Sequence, residues 1–305
     1  MIRHVVTFCL ILIQFCSLNS WAKGVPAPKA DWKFVEKRLQ KSGFKPDFVK
    51  NLKAFYDPDQ FAEVLELNTL LFLKKTDYHG VQVTPEAATT VRGFVELNHE
   101  ALEGAEKTFG VPKEIVASLL WMESRQGKNT GQFHVASVFL DLLQADRPGT
   151  VLYLQHAGTR FTDKVTAQNR KDIASRAKKR VQWALGELKA IQKMRKDNPN
   201  VVRELRGSFA GAFGMPQFEP SSYVAYAKAY KNGEVADLGR TDDAIQSVAN
   251  YLRLNGWKKN KPKSYVLALM HYNNSHDYAN AILKLAGQAS PTEEKSKRTP
   301  ARVSH

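Results

Sequence analysis

The chain has 305 residues, 43% hydrophobic and 25% charged, with a net charge of +15 at pH 7 and two cysteines. That is an ordinary globular composition with room for a large core, in one elongated domain or two smaller ones. Both cysteines, Cys9 and Cys16, lie in a segment read below as removable, so the mature chain has no disulfide and no cysteine metal site.

Residues 1–22 carry Arg3 and His4, a mostly apolar run from Val5 to Phe15, and Ser20-Trp21-Ala22, a small-x-small cleavage pattern. They read as a secretory signal peptide; the run is short for a membrane span, which needs roughly 20 residues, and an uncleaved anchor is the alternative. Gln14-Phe15 before Cys16 is too bulky for a lipoprotein site. Export points to a bacterial envelope, the periplasm first. A basic surface favours anionic partners. Export sets nucleic acid aside and leaves a wall polymer or peripheral contact with the envelope membrane, with solubility alone as the bland reading.

Residues 23–30 read as a Pro- and Lys-containing leader or tether. From Asp31 the text is helical: Trp32, Val35 and Leu39 share a face, and helices are expected over 46–55 and 58–73. In the latter Phe61, Val64, Leu65, Leu71 and Phe72 line one side, with Asn68 the only polar interruption. A polar loop over 77–85 leads to one long helix over about 86–109. Further helices are expected over 135–143 and 163–196; the basic run RKDIASRAKKR in the latter is a solvated face or a contact for an anionic polymer. No stretch alternates long enough to demand a sheet.

Residues 111–127, VPKEIVASLLWMESRQG, form the most informative stretch. Pro112 suits a first helical turn and Gly127 an end. At 100° per residue, Ile115, Leu119, Glu123, Val116 and Leu120 fall on one face of about 140°, with Glu123 in the middle. A carboxyl group on an apolar face must be paired or hold its proton near neutral pH, and a raised pKa is what a general acid needs.

The second such stretch is GSFAGAFGMPQFEPSSY, residues 207–223. Its glycines and prolines exclude a helix interior. Ala210, Gly211, Ala212 and Gly214 allow close backbone approach. Ser208 and Gln217 offer neutral hydrogen bonds beside Phe213, Phe218 and Tyr223, a common way to hold a sugar; a tightly packed loop needs similar residues. A helix follows Pro220, a Gly-containing loop comes next, and Thr241-Asp242-Asp243 can cap a helix over 244–254. The last helix starts near Pro262 and is interrupted by HYNNSHDY, where Tyr272, Asn273, Asn274, Ser275 and Tyr278 gather. Residues 288–305 read as a disordered polar tail.

Taken in order, the Phe109–Ile115 wording FGVPKEI, the E-S-R-x-G signature at 123–127, residues 207–223, DAIQSVANYLRLNGW and HYNNSHDYA resemble the membrane-bound lytic transglycosylase B family of lytic murein transglycosylases over about 31–287. The resemblance implies a mostly α, lysozyme-like (goose-type) helical fold with an additional N-terminal helical region. It also implies cleavage of the MurNAc-β-1,4-GlcNAc bond of peptidoglycan, leaving 1,6-anhydro-MurNAc ends, with Glu123 as acid and then base.

By motif position Ser208 and Gln217 would bind sugar or N-acetyl groups, and Tyr272 would orient Glu123 or the sugar ring. Phe218, Tyr223 and Asn273 are groove candidates, and Arg125 would contact substrate or brace the helix end. Glu219, just beyond the loop, is the first acid to check as a second carboxylate. A structural role is the plain alternative for each.

Many family members carry an Asp-rich calcium loop before the Asp-Ala-Ile helix. Here AYKNGEVADLG has Ala229 and Lys231 at the early ligand positions, so no metal and no cofactor are expected. Gln126 stands where the family often has an aromatic. The expected partner is the peptidoglycan glycan strand, met by a monomer. A hydrolytic muramidase and a non-catalytic wall-binding protein are the alternatives.

Overall fold

A computed structural model describes residues 25–74 and 80–290. The signal peptide expected at 1–22, residues 75–79, which include the start of the polar loop expected at 77–85, and most of the expected tail lie outside the described residues. The described residues form fourteen α-helices: α1 (Trp32–Lys41), α2 (Pro46–Ala54), α3 (Phe61–Leu70), α4 (Pro85–Leu97), α5 (His99–Phe109), α6 (Lys113–Ser124), α7 (Val135–Leu142), α8 (Pro148–Ala157), α9 (Ala167–Met194), α10 (Val201–Glu204), α11 (Pro220–Tyr226), α12 (Thr241–Leu254), α13 (Pro262–Tyr272) and α14 (His276–Ala289). Two-residue strands β1 (Phe133–His134) and β2 (Arg206–Gly207) pair antiparallel, Phe133 opposite Gly207.

Several boundaries differ from the sequence expectation for local reasons. The long helix expected over 86–109 is two, because the chain breaks at Asn98, whose side-chain amide bonds back to the Phe94 carbonyl. Residues 25–30 are not a free tether: Val25 and Ala30 pack against the core and the Lys29 carbonyl accepts from Arg147. The expected tail starts too early, since α14 runs to Ala289 with Ser290 as its cap. Helix α8 escaped the sequence reading, although Pro148 marks its first turn.

Helix α6 is the axis of the molecule. It packs against α4, α5, α12 and α14, and everything from Ile115 to Leu120, together with Met122, Glu123 and Ser124, is buried. The single apolar face expected from periodicity is therefore an understatement: the helix is enclosed nearly all round, as its continuous apolar text allows. Leu119 and Leu120 are fully buried, and truncating either to Ala is expected to cost about 2–5 kcal/mol. The second layer is α9, which packs against α3, α7, α8 and α11. The loop between β2 and α11 runs between these layers.

Candidate active site

Helix α6 ends in a left-handed turn: Arg125 and Gln126 have φ of 53° and 57°, and their amides bond back to the Trp121 and Leu120 carbonyls, each at 3.0 Å. This stops the helix just after Glu123 and Ser124. Ser124 then fastens the helix end to the Gly-rich loop, donating to the Met215 carbonyl at 2.6 Å and accepting from the Gly127 amide at 2.9 Å.

Glu123 is 1% exposed. Its Oε1 accepts a hydrogen bond from the Tyr278 hydroxyl, while Oε2 is buried with no hydrogen-bond partner. Burial pushes the carboxyl up to about 8, against a smaller lowering by the Tyr278 bond. Near neutral pH the group holds its proton, with one oxygen fixed by the protein and the other unused. Tyr278 reaches this place because Ser275 caps α14, its hydroxyl accepting from the Tyr278 amide at 3.2 Å, and α14 lies along α6.

The loop at 207–219 is folded on itself. Gly207 pairs with Phe213, and Phe213 with Phe218. Gly211, at φ 76°, has the Phe139 ring in the space a Cβ would need, so only glycine fits there. Ser208 is 1% exposed and its hydroxyl accepts from the Ala210 and Ala212 amides at 3.3 and 3.2 Å. Its hydroxyl thus organises the loop that presents Gln217. Gln217 sits at φ 51°; its Nε2 donates to the Thr130 and Gly214 carbonyls at 3.1 and 2.9 Å. Its Oε1 remains buried without a partner, a second acceptor left over by the fold.

Tyr272 is 2% exposed and donates to the Pro216 carbonyl. A hydroxyl has one proton, so this bond leaves none for Glu123. Tyr272 stacks on Tyr278 with ring centroids 6.5 Å apart and planes 15° apart, and so bears on Glu123 through the residue that holds it. Phe218 is 2% exposed and packs on Tyr251 and Tyr272, which makes it core. Tyr223 donates to the Ala236 carbonyl at 2.6 Å, in the segment between α11 and α12. Asn273 caps α13 and its carbonyl accepts from Ser275, shaping the turn before Tyr278. Arg125 lies 4.5 Å over the Trp121 ring and donates to the Trp121 carbonyl, bracing the helix end.

Glu219 is 5% exposed. Burial first, then the neighbouring Glu187 carboxylate, raise its pKa, while the Trp183 indole 3.4 Å away and the Arg180 guanidinium oppose them. Glu187 grips Ser221 with both oxygens at 2.8 Å. This acid pair supports the start of α11 from behind the loop.

The sequence reading named Tyr278, Ser124 and Asn68 but gave none of them a role in the site. Asn68 donates to the Phe209 carbonyl at 2.8 Å and so ties the N-terminal helices to the site loop. Its signal was legible as the one polar residue on an apolar face.

The model of the transglycosylase SLT domain matches residues 28–267. The chain belongs to this family. It is 29% identical over 182 residues to membrane-bound lytic murein transglycosylase B of Escherichia coli (strain K12), a match covering 60% of this chain and 42% of that one; it spans less than half of that relative. Among solved structures it resembles soluble lytic transglycosylase SltB1 of Pseudomonas aeruginosa, with TM-score 0.64 and 21% identity over 85% of this chain and 97% of that one. It also resembles E. coli lytic transglycosylase Slt35 in complex with calcium, with TM-score 0.59 and 22% identity over 84% and 91%. The fold is that of the family, mostly helical and lysozyme-like.

Proposed function

We propose that this chain is a peptidoglycan lytic transglycosylase that cleaves the MurNAc-β-1,4-GlcNAc bond and closes a 1,6-anhydro ring on the muramic residue. One observation carries the reading: the buried Glu123 carboxyl, held protonated near neutral pH, keeps one oxygen fixed on Tyr278 and the other without a partner. A glycosidase acting through water needs a second carboxylate as base or nucleophile. The nearest acid in the loop text, Glu219, is committed to the group behind it.

In this mechanism the Glu123 carboxyl gives its proton to the glycosidic oxygen as the bond from C1 breaks, and the GlcNAc hydroxyl leaves. The carbonyl oxygen of the substrate's own N-acetyl group stabilises the positive charge on C1. Glu123, now a carboxylate, takes the proton of the C6 hydroxyl, whose oxygen closes on C1. The acid is restored and no water is consumed. The low-dielectric setting favours the neutral acid at the start, and the Tyr278 bond favours the carboxylate in the middle, so the two effects narrow the gap between its two roles. Gln217 Oε1, buried without a partner, would accept from an N-acetyl N–H or a sugar hydroxyl in this reading. The excess of basic residues suits an anionic wall, and the apolar run from Val5 to Phe15 suits export to the envelope. Among the described residues no helix is long and apolar enough to cross a membrane.

Digestion of sacculi in heavy-oxygen water tests the water-free step. Transglycosylation leaves the new muramic ends without heavy oxygen; incorporation at C1 would assign a hydrolase instead.

A further inference from the structure

The segment between α11 and α12 is where the family often binds calcium. Counted as a twelve-residue calcium loop from Ala229, the oxygen ligands are wanted at the first, third, fifth, ninth and last positions, the last a bidentate acid, with glycine at the sixth. This chain has Ala229, Lys231, Gly233 and Asp237 at the first four of these, Arg240 at the last, and Glu234 in the glycine's place. A guanidinium stands where the principal ligand would be. Of the carboxylates nearby, Asp237 Oδ1 accepts from the Gly239 amide at 2.9 Å, and Arg240 lies 3.7 Å from Glu234 and 3.6 Å from Asp242. Lys193, Lys228 and Lys231 line the adjoining cavity of about 420 Å³, against Asp197 and Glu234. The residues present do not fit a calcium ion.

The strap is nevertheless ordered by side chains of the flanking helices. Asp243, 2% exposed on the first turn of α12, accepts from the Tyr230 amide at 2.7 Å with one oxygen and from the Asp237 amide at 2.8 Å with the other. It thereby joins the two ends of the strap, as a shared metal ion would. Asn250 holds the Tyr226 carbonyl at 2.8 Å, Ser247 the Lys228 amide at 2.9 Å, and Tyr223 the Ala236 carbonyl at 2.6 Å.

The next residue, Leu238, touches the site loop: its carbonyl accepts from the Met215 amide at 2.8 Å, and its Cβ fills the space that a side chain on Gly214 would need. Met215 in turn receives the Ser124 hydroxyl from the end of α6.

We propose that residues 229–240 form a cation-free strap in which the Asp243 carboxylate closes the loop and Arg240 supplies the positive charge, holding the Gly-rich loop from behind. The inference does not depend on the reaction assigned above. The test uses the full chain, with thermal unfolding and NMR-detected amide exchange in EDTA and in millimolar calcium chloride. Expected are equal melting temperatures in the two buffers and slow exchange of the Tyr230 and Asp237 amides in EDTA.

Asp243→Asn turns one acceptor into a donor. It should lower Tm by about 5 °C and expose the Tyr230, Asp237 and Met215 amides while those of α13 stay protected, a local pattern that general destabilisation does not give. A calcium-raised Tm, strap protection that appears only with calcium, or fast exchange of the two amides in EDTA overturns the proposal. If Asp243→Asn does not fold, wild-type exchange in EDTA decides alone.

Discussion

Replacing Glu123 by glutamine should shift stability increasingly in favour of the variant as pH rises. The folded carboxyl titrates at about 8 and the unfolded one near the ordinary glutamate value of about 4.3–4.5. Between those values the folded state keeps a proton that the unfolded state has lost. Stability therefore falls as pH rises through this window, and is fully retained only below the unfolded pKa.

At 1.36 kcal/mol per pKa unit, the cost at pH 7 is on the order of 3–4 kcal/mol and at pH 5 about 1 kcal/mol, so the window from 5 to 7 is worth about 2–3 kcal/mol. The glutamine of the variant does not titrate and has no such dependence. Its amide brings a fixed cost, because one end of it faces the site without a partner, but that term does not change with pH. Glu219 and Asp141, also raised by burial, are present in both proteins and cancel. Urea unfolding of wild type and Glu123→Gln at pH 5, 6 and 7 measures the difference. A stability gap that stays constant across that range would refute a buried, protonated Glu123.

The same elevated pKa makes wild-type activity fall as pH rises through about 8, read from initial rates on purified sacculi; a rate still climbing there contradicts the acid role. Tyr278→Phe removes the bond that lowers the Glu123 pKa, so its alkaline limb should move to higher pH while kcat drops by about tenfold or more. An unmoved profile would reduce Tyr278 to packing. Ser124→Ala frees the Met215 carbonyl from the helix end and should cost about 1–3 kcal/mol in urea unfolding, with kcat/KM falling as well.

Much of this was legible because the decisive signals are local. Helix α6 announced itself through Pro112, a continuous apolar run and a terminal glycine, and Glu123 stood out because a carboxyl does not belong among Leu119, Val116 and Leu120. What periodicity could not supply was the environment: that α4, α5, α12 and α14 close over all sides of α6 is a product of tertiary packing.

For the same reason the roles of neutral residues were less legible than their presence. Ser208 and Gln217 share a loop of glycines and aromatics, and only the hydrogen-bond pattern shows that the Ser208 hydroxyl receives two amides while Gln217 keeps one free acceptor. Tyr272 and Tyr278 stand in one short motif, and which of them meets Glu123 depends on the start of α14 at Ser275. The break at Asn98 is the converse case, a side chain competing with the backbone inside a pattern that periodicity reads as continuous.

The most direct test is the chemical identity of the muramic ends released from purified sacculi, read by mass spectrometry for wild type and for Glu123→Gln. Cleavage by a single carboxylate predicts 1,6-anhydro ends from wild type and essentially none from Glu123→Gln. Reducing ends from wild type, or anhydro ends undiminished in the variant, would contradict it.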